Sequence, residues 1–588
     1  MRALYVILAV TLLSCVLAGA SSPVADAAMR GDKTVVANLI KEKADVNAPQ
    51  ADGATAIQWA AYKNDLALAD QLIAAGANVK AANRDGATAL QLASINGNAA
   101  MIEKLLKAGA DPNERSPRGE TPLMFASRNG KTDAIKVLID HKADVNAKEN
   151  VRGTTALMWA VEQKHSEAVK VLVDSGANVG AITNPDNKGG TAYLAPSVQQ
   201  RAAQDKGFAL RPAPVAGGRG GGGGGGRGGN TAAAGGNPDD LAAADAAAAE
   251  AAFGRNQQNT NGGGLSPLVF AAREDCLECA KILVAGGANV NQTTRYGWTP
   301  LLTAVQNRHY QLAKFLLDNG ANPNMKNNGG WSPLYLAVDN RNIEGGDYPV
   351  RTADMDQLEF IKMLVDRGAD VNARICGVDS TPTDCKGDST ETRTIFTMQW
   401  LYEAGATPFL RAAQSADLPL MKLFLAHGAD AKIATSNGDT ALMVASGIGW
   451  VEGVTYEWSE ADNVEAVKMC LDLGIDPNLA NKDGRTALHG AAHKGRNDVV
   501  QLLVDRGAKL DAHDNGSRDT FTGAMFGHTW VPIDYSRGLV RVGVQSAIAH
   551  PDTEALLKKL MDQRGIPVPP PAGQTICVTD LCKGDAQP

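Results

Sequence analysis

Aromatic residues are scarce in this chain of 588 residues: Phe, Trp and Tyr make up only 5% of it, although 44% is hydrophobic. Thick globular cores usually contain more of them, because aromatic side chains bury the largest area per residue. The scarcity favours thin layers filled by Ala, Leu and Val. The regular recurrence of these apolar residues excludes a chain that is disordered throughout.

The chain also lacks an excess of positive charge. Its 57 Lys and Arg stand against 64 Asp and Glu, for a net charge of −7. Binding to nucleic acid relies on a basic face that displaces counterions from the phosphates. The charge therefore argues against a nucleic-acid partner.

Beyond residue 20 no hydrophobic run is long enough to span a bilayer. Residues 1–20 have the pattern of an export signal: Arg2 precedes an apolar run from Leu4 to Leu17, and Ala18-Gly19-Ala20 offers a small-residue cleavage site. The alternative is a lipoprotein anchored at Cys15, because Leu12-Leu13-Ser14-Cys15 loosely fits a lipid-attachment box. Either way we expect the mature chain to be exported, periplasmic or secreted.

Removal of the signal leaves seven cysteines, few for a chain of this length. Two pairs lie close together in segments without regular periodicity, where a disulfide is useful in an oxidising compartment: Cys376 with Cys385, and Cys577 with Cys582. Cys276 and Cys279 have the spacing of a redox dithiol, but their position on a second helix favours a structural disulfide or unreactive thiols. Cys470 lies in an apolar helical run and is predicted to be a buried hydrophobe.

The dominant feature of the sequence is a unit that recurs at a period of about 33 residues. Asp52-Gly53-Ala54-Thr55-Ala56-Ile57 returns as Asp85-Gly86-Ala87-Thr88-Ala89-Leu90, and again in forms such as Thr299-Pro300-Leu301. Ser or Thr caps a first helix, and Pro occupies the first turn, where its missing N–H costs nothing. A glycine, as in Gly368-Ala369-Asp370-Val371-Asn372, ends a second helix. The pattern predicts about twelve helical hairpins, with atypical units at both ends.

This unit resembles the ankyrin repeat, whose motif reads Asp-x-x-Gly-x-Thr-Pro-Leu-His-x-Ala-Ala and ends in Gly-Ala-Asp-Val-Asn. The resemblance covers about two thirds of the chain and implies an all-α ankyrin-repeat solenoid. It divides the chain into arrays at 24–180 and 263–565, followed by a Pro-rich, Cys-containing tail at 566–588. Two departures are local: Lys142 replaces a closing Gly, and His489 alone fills the family's His position.

Several segments interrupt the period. Residues 181–262 contain a glycine tract and an Ala-rich stretch, Pro238 to Phe253. They are interpreted either as a flexible tether of about 50 Å between two arrays, or as a decayed repeat with an insertion that leaves the solenoid unbroken. Insertions at 339–354 and 447–462 are expected on one rim, roughly 20 Å apart. A third insertion, at 374–403, enlarges one finger turn, which is the turn that leads from the second helix of one unit to the first helix of the next.

The resemblance implies recognition of a protein partner by a concave surface made of finger turns and first helices. Aromatic and Arg residues clustered there match the composition of interface hot spots. The candidate contact residues are Tyr296, Trp298, Trp331, Asn307, Arg308, Asn340, Arg341, Trp450, Tyr456 and Trp458. Two alternatives stay open: the finger tryptophans brace their hairpins, and the last three aromatics fold back onto the helices. A row on the first helices is assigned to the core: Trp59, Leu92, Phe125, Trp159, Phe270 and Leu336.

We therefore expect a monomeric, non-catalytic scaffold of bacterial type that binds a protein outside the cytosol. No cofactor is expected. His489 and His493 share a helical face, but Gly490 stands where a zinc protease has its Glu, so no metal is expected either. The alternatives are an enzyme whose site is built by residues 447–462, including Glu457, or a lipid-anchored inhibitor or immunity-type binder.

Overall fold

The computed structural model describes residues 22–184, 263–342, 352–376, 404–450, 456–516, 529–540 and 548–570. These ranges contain twenty-four α-helices, arranged as twelve hairpins. The first helices of the hairpins are α1 (Pro23–Arg30), α3 (Ala56–Tyr62), α5 (Ala89–Asn96), α7 (Pro122–Arg128), α9 (Ala156–Glu162), α11 (Pro267–Glu274), α13 (Pro300–Gln306), α15 (Pro333–Arg341), α17 (Pro408–Gln414), α19 (Ala441–Ser446), α21 (Ala487–Lys494) and α23 (Pro532–Ser536).

The second helices complete the hairpins and form a second layer. They are α2 (Lys33–Lys41), α4 (Leu66–Ala74), α6 (Ala99–Lys107), α8 (Thr132–Asp140), α10 (Ser166–Asp174), α12 (Leu277–Ala285), α14 (Tyr310–Asp318), α16 (Gln357–Asp366), α18 (Leu418–Ala426), α20 (Glu460–Asp472), α22 (Asn497–Asp505) and α24 (Pro551–Gln563). The candidate signal at 1–20, Cys15 and the residues from 571 onward lie outside the described ranges.

The local signals in the sequence act as expected. The Thr299 hydroxyl accepts a hydrogen bond from the Leu302 N–H at 3.1 Å, which caps α13, and Pro300 occupies its first turn. After most second helices a glycine such as Gly109 adopts φ of +96°, where a Cβ would be strained. Lys142 adopts the same left-handed conformation, φ +71°, without that freedom. The departure at Lys142 is therefore accommodated at a small conformational cost.

The hairpins stack in chain order. Each first helix packs against the first helix of the next hairpin, and one continuous hydrophobic core runs from Val24 to Met561. Ala60 and Ala61, both fully buried, let neighbouring helices approach closely. The all-α repeat solenoid predicted from the sequence is confirmed.

The two arrays predicted on either side of residues 181–262 are direct neighbours. Helix α9 packs on α11, as first helices do in every other pair of adjacent units, and α10 packs on α12. The Thr183 N–H donates to the Leu265 carbonyl at 3.1 Å, and Arg273 forms an ion pair with Glu162 at 3.2 Å. The described units on either side of residues 185–262 are therefore in direct contact, and the interpretation of residues 181–262 as a linker or a decayed repeat stays a prediction. The stretch Pro238 to Phe253 lies outside the described residues.

Candidate interaction surfaces

The two finger tryptophans do not face solvent. Only 4% of Trp298 and 8% of Trp331 is exposed, and both belong to the hydrophobic core. The Trp331 ring meets Tyr335 edge to face, with 5.0 Å between centroids. The interpretation of these indoles as contact residues is corrected: they brace the finger turns. Tyr296, two residues before Trp298, is half-buried, and its carbonyl accepts a hydrogen bond from the Asn328 N–H at 2.8 Å.

The candidate residues at the ends of α13 and α15 join neighbouring units. Arg308 donates through Nη2 to the Asn340 carbonyl at 2.8 Å, and Asn340 donates through Nδ2 to the Val305 carbonyl at 2.7 Å. Burial lowers the pKa of Arg308 from its usual value. Arg341 donates through Nε to the fully buried Asp417 carboxylate at 2.8 Å. These polar groups therefore stabilise contacts between units.

The aromatic residues of the insertion at 447–462 fold back onto the solenoid. Tyr456 and Trp458 contact each other edge to face at 5.3 Å, and Trp450 lies edge to face with His493 at 6.3 Å. The Trp458 indole donates through Nε1 to Asn342 Oδ1 at 3.0 Å. Of the two interpretations left open by the sequence, the structure shows the packed one, although 40% of Trp458 is still exposed.

The two rim insertions meet directly. Trp458 belongs to the insertion at 447–462, whereas Asn342 belongs to the one at 339–354, and the Arg341 guanidinium lies 4.4 Å from the Trp458 ring centroid. The expected separation of about 20 Å between these insertions is wrong. Helix spacing alone could not show it, because the chain around Trp458 crosses the intervening unit.

Buried ion pairs lie beneath the contact between the two insertions. Arg411, only 1% exposed, donates through Nε to Asp339 at 2.7 Å and through Nη2 to the Asn342 carbonyl at 2.8 Å. Glu457 binds both Lys494 and Arg496. Burial lowers the pKa of Lys494, although Glu457 opposes the shift. Glu457, the residue on which an enzyme in this insertion would depend, is engaged in this ion-pair network.

The first helices of the amino-terminal units carry apolar residues that are partly or largely exposed. We call the side of the first helices next to the fingers the inner face, and it carries two rows that begin at Trp59 and Tyr62. The first row comprises Trp59, Leu92, Phe125, Trp159, Phe270 and Leu336, and the second comprises Tyr62, Ile95, Arg128, Glu162 and Arg273. The core assignment of the first row holds for Phe270 and Leu336, which are buried. The other four residues are half-buried, and three of them, Trp59, Leu92 and Trp159, pack against the core.

Finger residues fix the half-buried indoles. Trp59 donates through Nε1 to Gln50 Oε1 at 2.7 Å, and Trp159 donates to Thr154 Oγ1 at 2.8 Å. The Tyr62 row was missed by sequence reasoning, yet 58% of Tyr62 and 43% of Ile95 is exposed. The sequence did contain a signal for this row: Tyr62 and Ile95 are large apolar residues at a position where the next two units have Arg128 and Glu162. We number the hairpins as units 1 to 12 in chain order. Tyr62 and Ile95 of units 2 and 3, with the half-buried first row of units 2 to 5, form an accessible apolar surface.

The described cysteines act structurally. Cys276 and Cys279 form a disulfide, and Cys276 Sγ accepts a hydrogen bond from the Cys279 N–H at 3.2 Å at the start of α12. Burial raises the pKa of the Cys470 thiol to about 12, which suits its predicted role as a buried hydrophobe. Cys376 is disulfide-bonded. Cys385, Cys577 and Cys582 lie outside the described residues, so the two predicted pairings stay predictions.

The two histidines of α21 are buried parts of the stack. His489 Nδ1 accepts a hydrogen bond from the Thr486 N–H at 3.0 Å, which caps the helix. Burial lowers the pKa of His489 and of His493 to about 4. In the described ranges, no cluster of three or more His, Cys, Asp or Glu side chains is placed to hold a metal ion.

Stacked helical hairpins joined by finger turns define the class of repeat solenoids. Family models place the chain within that class: one described as "Ankyrin repeats (3 copies)" matches residues 24–116, 100–183, 232–327 and 409–514, and one described as "Ankyrin repeat" matches 329–375. The chain belongs to the ankyrin-repeat family. Members of this family are generally non-catalytic binding scaffolds.

Curated relatives share parts of the array. The chain is 45% identical to "Serine/threonine-protein kinase 12" of Arabidopsis thaliana over 12% of its own length and 15% of that protein. It is 32% identical to mouse "Ankyrin repeat and SOCS box protein 16", over 18% and 22% of the two lengths. It is also 32% identical to human "Ankyrin repeat domain-containing protein 63", over 24% and 36%. The chain thus covers well under half of each of these eukaryotic relatives. None of the described helices has the length and apolar character needed to cross a membrane.

Proposed function

We propose that this chain is an exported, monomeric, non-catalytic scaffold that binds a protein partner on the inner face of its amino-terminal units. The accessible apolar surface that includes Tyr62 and Ile95 carries the proposal, because exposed apolar area on a soluble repeat array marks an interaction site. The rigid stack supports it, since a preformed surface loses little conformational entropy on binding.

Export is supported by two features of the chain. Residues 1–20 have the pattern of a cleavable signal, and the Cys276–Cys279 disulfide suits an oxidising compartment. Cell fractionation of the full chain tests this, and Cys15→Ala separates the two forms of export. A lipoprotein would lose its membrane association on that substitution, whereas a secreted or periplasmic protein would not change.

Site-specific crosslinking tests the surface. A photo-crosslinking amino acid at Tyr62 should capture a partner protein in the native exported fraction, for identification by mass spectrometry. The matched control is Val35 on α2, which is also an exposed apolar residue (36%) but lies in the layer of second helices. Equal crosslinking from both positions, or none from Tyr62, would contradict the proposed surface.

A further inference from the structure

The inner face of units 2 to 5 is bordered by positive charge, although the whole chain is acidic. Three consecutive fingers join units 2 to 5. Their cations are Lys80, Arg84, Arg115, Arg118, Lys148 and Arg152, all exposed. The fingers touch at their tips: Pro117 packs on Gly86, where an added Cβ would lie 2.7 Å from the proline ring, and the Asn150 N–H donates to the Arg118 carbonyl at 2.9 Å. The cations therefore form a continuous row.

Backbone carbonyls, not carboxylates, hold several of these cations in place. Arg115 donates through Nη1 to the Lys148 carbonyl at 2.8 Å, and Lys148 donates through Nζ to the Ile182 carbonyl at 2.6 Å. Among the described residues, no carboxylate forms an ion pair with Arg118 or Arg152. A carbonyl fixes the position of a cation without cancelling its charge. The row therefore keeps its positive charge in an ordered arrangement.

Two of the carboxylates in the same fingers are withdrawn from the row. Glu149 is buried and accepts hydrogen bonds from the N–H groups of Val151, Arg152 and Thr154. Glu114 is partly buried against the Thr88 hydroxyl. Asp85, Asp111 and Asp144 are exposed and Glu120 is half-exposed, against the six cations. The six cations therefore outnumber the accessible carboxylates, and the fingers present a small net positive charge.

The apolar rows lie next to these fingers, and the Tyr62 row changes from apolar to charged residues after Ile95. The Trp159 indole donates to Thr154 of the third finger, so the apolar rows and the basic edge are adjacent there. The exposed Arg128 lies 5.8 Å from the centroid of the Trp159 ring. Arg128 thus adds a further cation in the middle of the Tyr62 row, where the next residue, Glu162, forms an ion pair with Arg273.

We infer that the partner segment bound on this face has apolar side chains bordered by Asp and Glu. The inference rests on the proposed function and specifies the chemistry of its partner. Apolar contacts with the rows that begin at Trp59 and Tyr62 supply affinity, and the carboxylates meet the cations of the fingers. Four stacked units span about 40 Å at about 10 Å each, which a helix of about 25 residues covers at about 1.5 Å per residue.

Two synthetic peptides of that length, with one apolar stripe in common, test the inference. One peptide has Glu and the other Lys at the positions that border the stripe. Titration into the full-length protein should show that the Glu peptide binds at least about tenfold more tightly at low ionic strength. The preference should shrink as salt is added, because rim charges are screened beyond about 10 Å at 0.1 M salt.

Two charge-reversal variants locate the effect. Arg118→Glu with Arg152→Glu should weaken binding of the Glu peptide by about tenfold. The matched control is Lys136→Glu with Lys362→Glu, which makes the same change of charge at exposed positions on α8 and α16 and should leave binding unchanged. Tyr62→Ser with Ile95→Ser should weaken binding of any peptide that uses the apolar stripe.

Several outcomes would overturn the inference. The Lys peptide could bind as tightly as the Glu peptide or more tightly, or neither peptide could bind. The protein could instead prefer anionic phosphatidylglycerol vesicles to both peptides, or self-associate through Tyr62 and Ile95. A partner crosslinked at Tyr62 whose contacting segment lacks Asp and Glu would also overturn the inference. In that last case the proposed scaffold function would be retained, and only the inference that the partner segment carries Asp and Glu would be rejected.

Discussion

Trp458 and Asn342 are 116 residues apart in sequence, and the indole Nε1 of the first donates to the side-chain carbonyl of the second at 3.0 Å. Asn342 is fully buried, and its Nδ2 donates to the Val338 carbonyl at 3.1 Å. This hydrogen bond and the Arg341 guanidinium over the Trp458 ring connect two insertions across one intervening unit. Two interruptions of the repeat thereby become one stabilising contact.

Trp458→Phe should destabilise the carboxyl-terminal half of the array. The variant keeps an aromatic ring against Arg341 but removes the donor to Asn342, and an unsatisfied buried acceptor costs about 1–3 kcal/mol. Urea unfolding followed by circular dichroism measures the change. Tyr62→Phe is the matched control, because 58% of Tyr62 is exposed and it lies far from this contact. A Trp458→Phe protein as stable as the wild type would show that the contact contributes nothing.

The Asp339–Arg411 pair should behave as a buried ion pair. Asp339→Ala leaves the Arg411 charge, 1% exposed, without its carboxylate, and we expect a loss of about 3–5 kcal/mol. Replacing both, by Asp339→Leu and Arg411→Met, should cost less than Asp339→Ala alone, because no charge is left buried. The exposed pair Lys170–Asp174 provides the control, and Asp174→Ala should change stability by less than about 1 kcal/mol. A double variant less stable than Asp339→Ala would refute this account.

The sequence was sufficient for the fold because its signals are local. The hydroxyl of Thr299, the first-turn Pro300 and the left-handed Gly109 each act within a few residues of their own position. A period of about 33 residues repeats these signals through the chain. The unbroken stack across residues 185–262 could not be read in the same way, because it depends on contacts such as Thr183 with Leu265.

The surface depends on neighbours that a repeat motif does not specify. Trp59 and Leu336 hold the same position in their units, yet Trp59 is half-buried and Leu336 is buried. In the unit that follows Leu336, the same position is held by Arg411, which is itself buried against Asp339. Exposure at this position is therefore set by long-range contacts and by insertions. For this reason the accessibility of Trp59 and its neighbours could not be predicted from the repeat motif.

Substitution of Trp298 should affect folding. Because only 4% of the side chain is exposed, Trp298→Ala leaves a cavity and should cost about 3–5 kcal/mol. Tyr296→Ala, at a half-buried site two residues away, should cost less. Denaturant unfolding of both variants makes the comparison. If Trp298→Ala kept the stability of the wild type and abolished partner binding, the original assignment of Trp298 to the contact surface would be restored.

Two finger carboxylates should give opposite pH dependences of stability. Burial raises the pKa of Glu114 to about 7 from an ordinary value of 4.5, although the Thr88 hydroxyl donates to it. Between these values the folded chain retains a proton that the unfolded chain has released, so stability falls as pH rises from about 4.5 to about 7. After discounting for partial exposure, we expect a loss of about 1 kcal/mol. Glu114→Gln should remove this decline, and Glu120→Gln, at a half-exposed finger position, should retain it.

Glu149 should act in the other direction. Burial tends to raise its pKa, but hydrogen bonds from the N–H groups of Thr154 and Val151 and from the Thr154 hydroxyl outweigh that effect and lower it. The unfolded chain then binds the proton first as pH falls, so the stabilisation is present above about 4.5 and is lost below it. Glu149→Gln should therefore destabilise the array at pH 7 more than at pH 3. Unfolding free energies measured across this range check both residues, and the same slope for Glu114→Gln and Glu149→Gln would contradict the opposite environments of the two fingers.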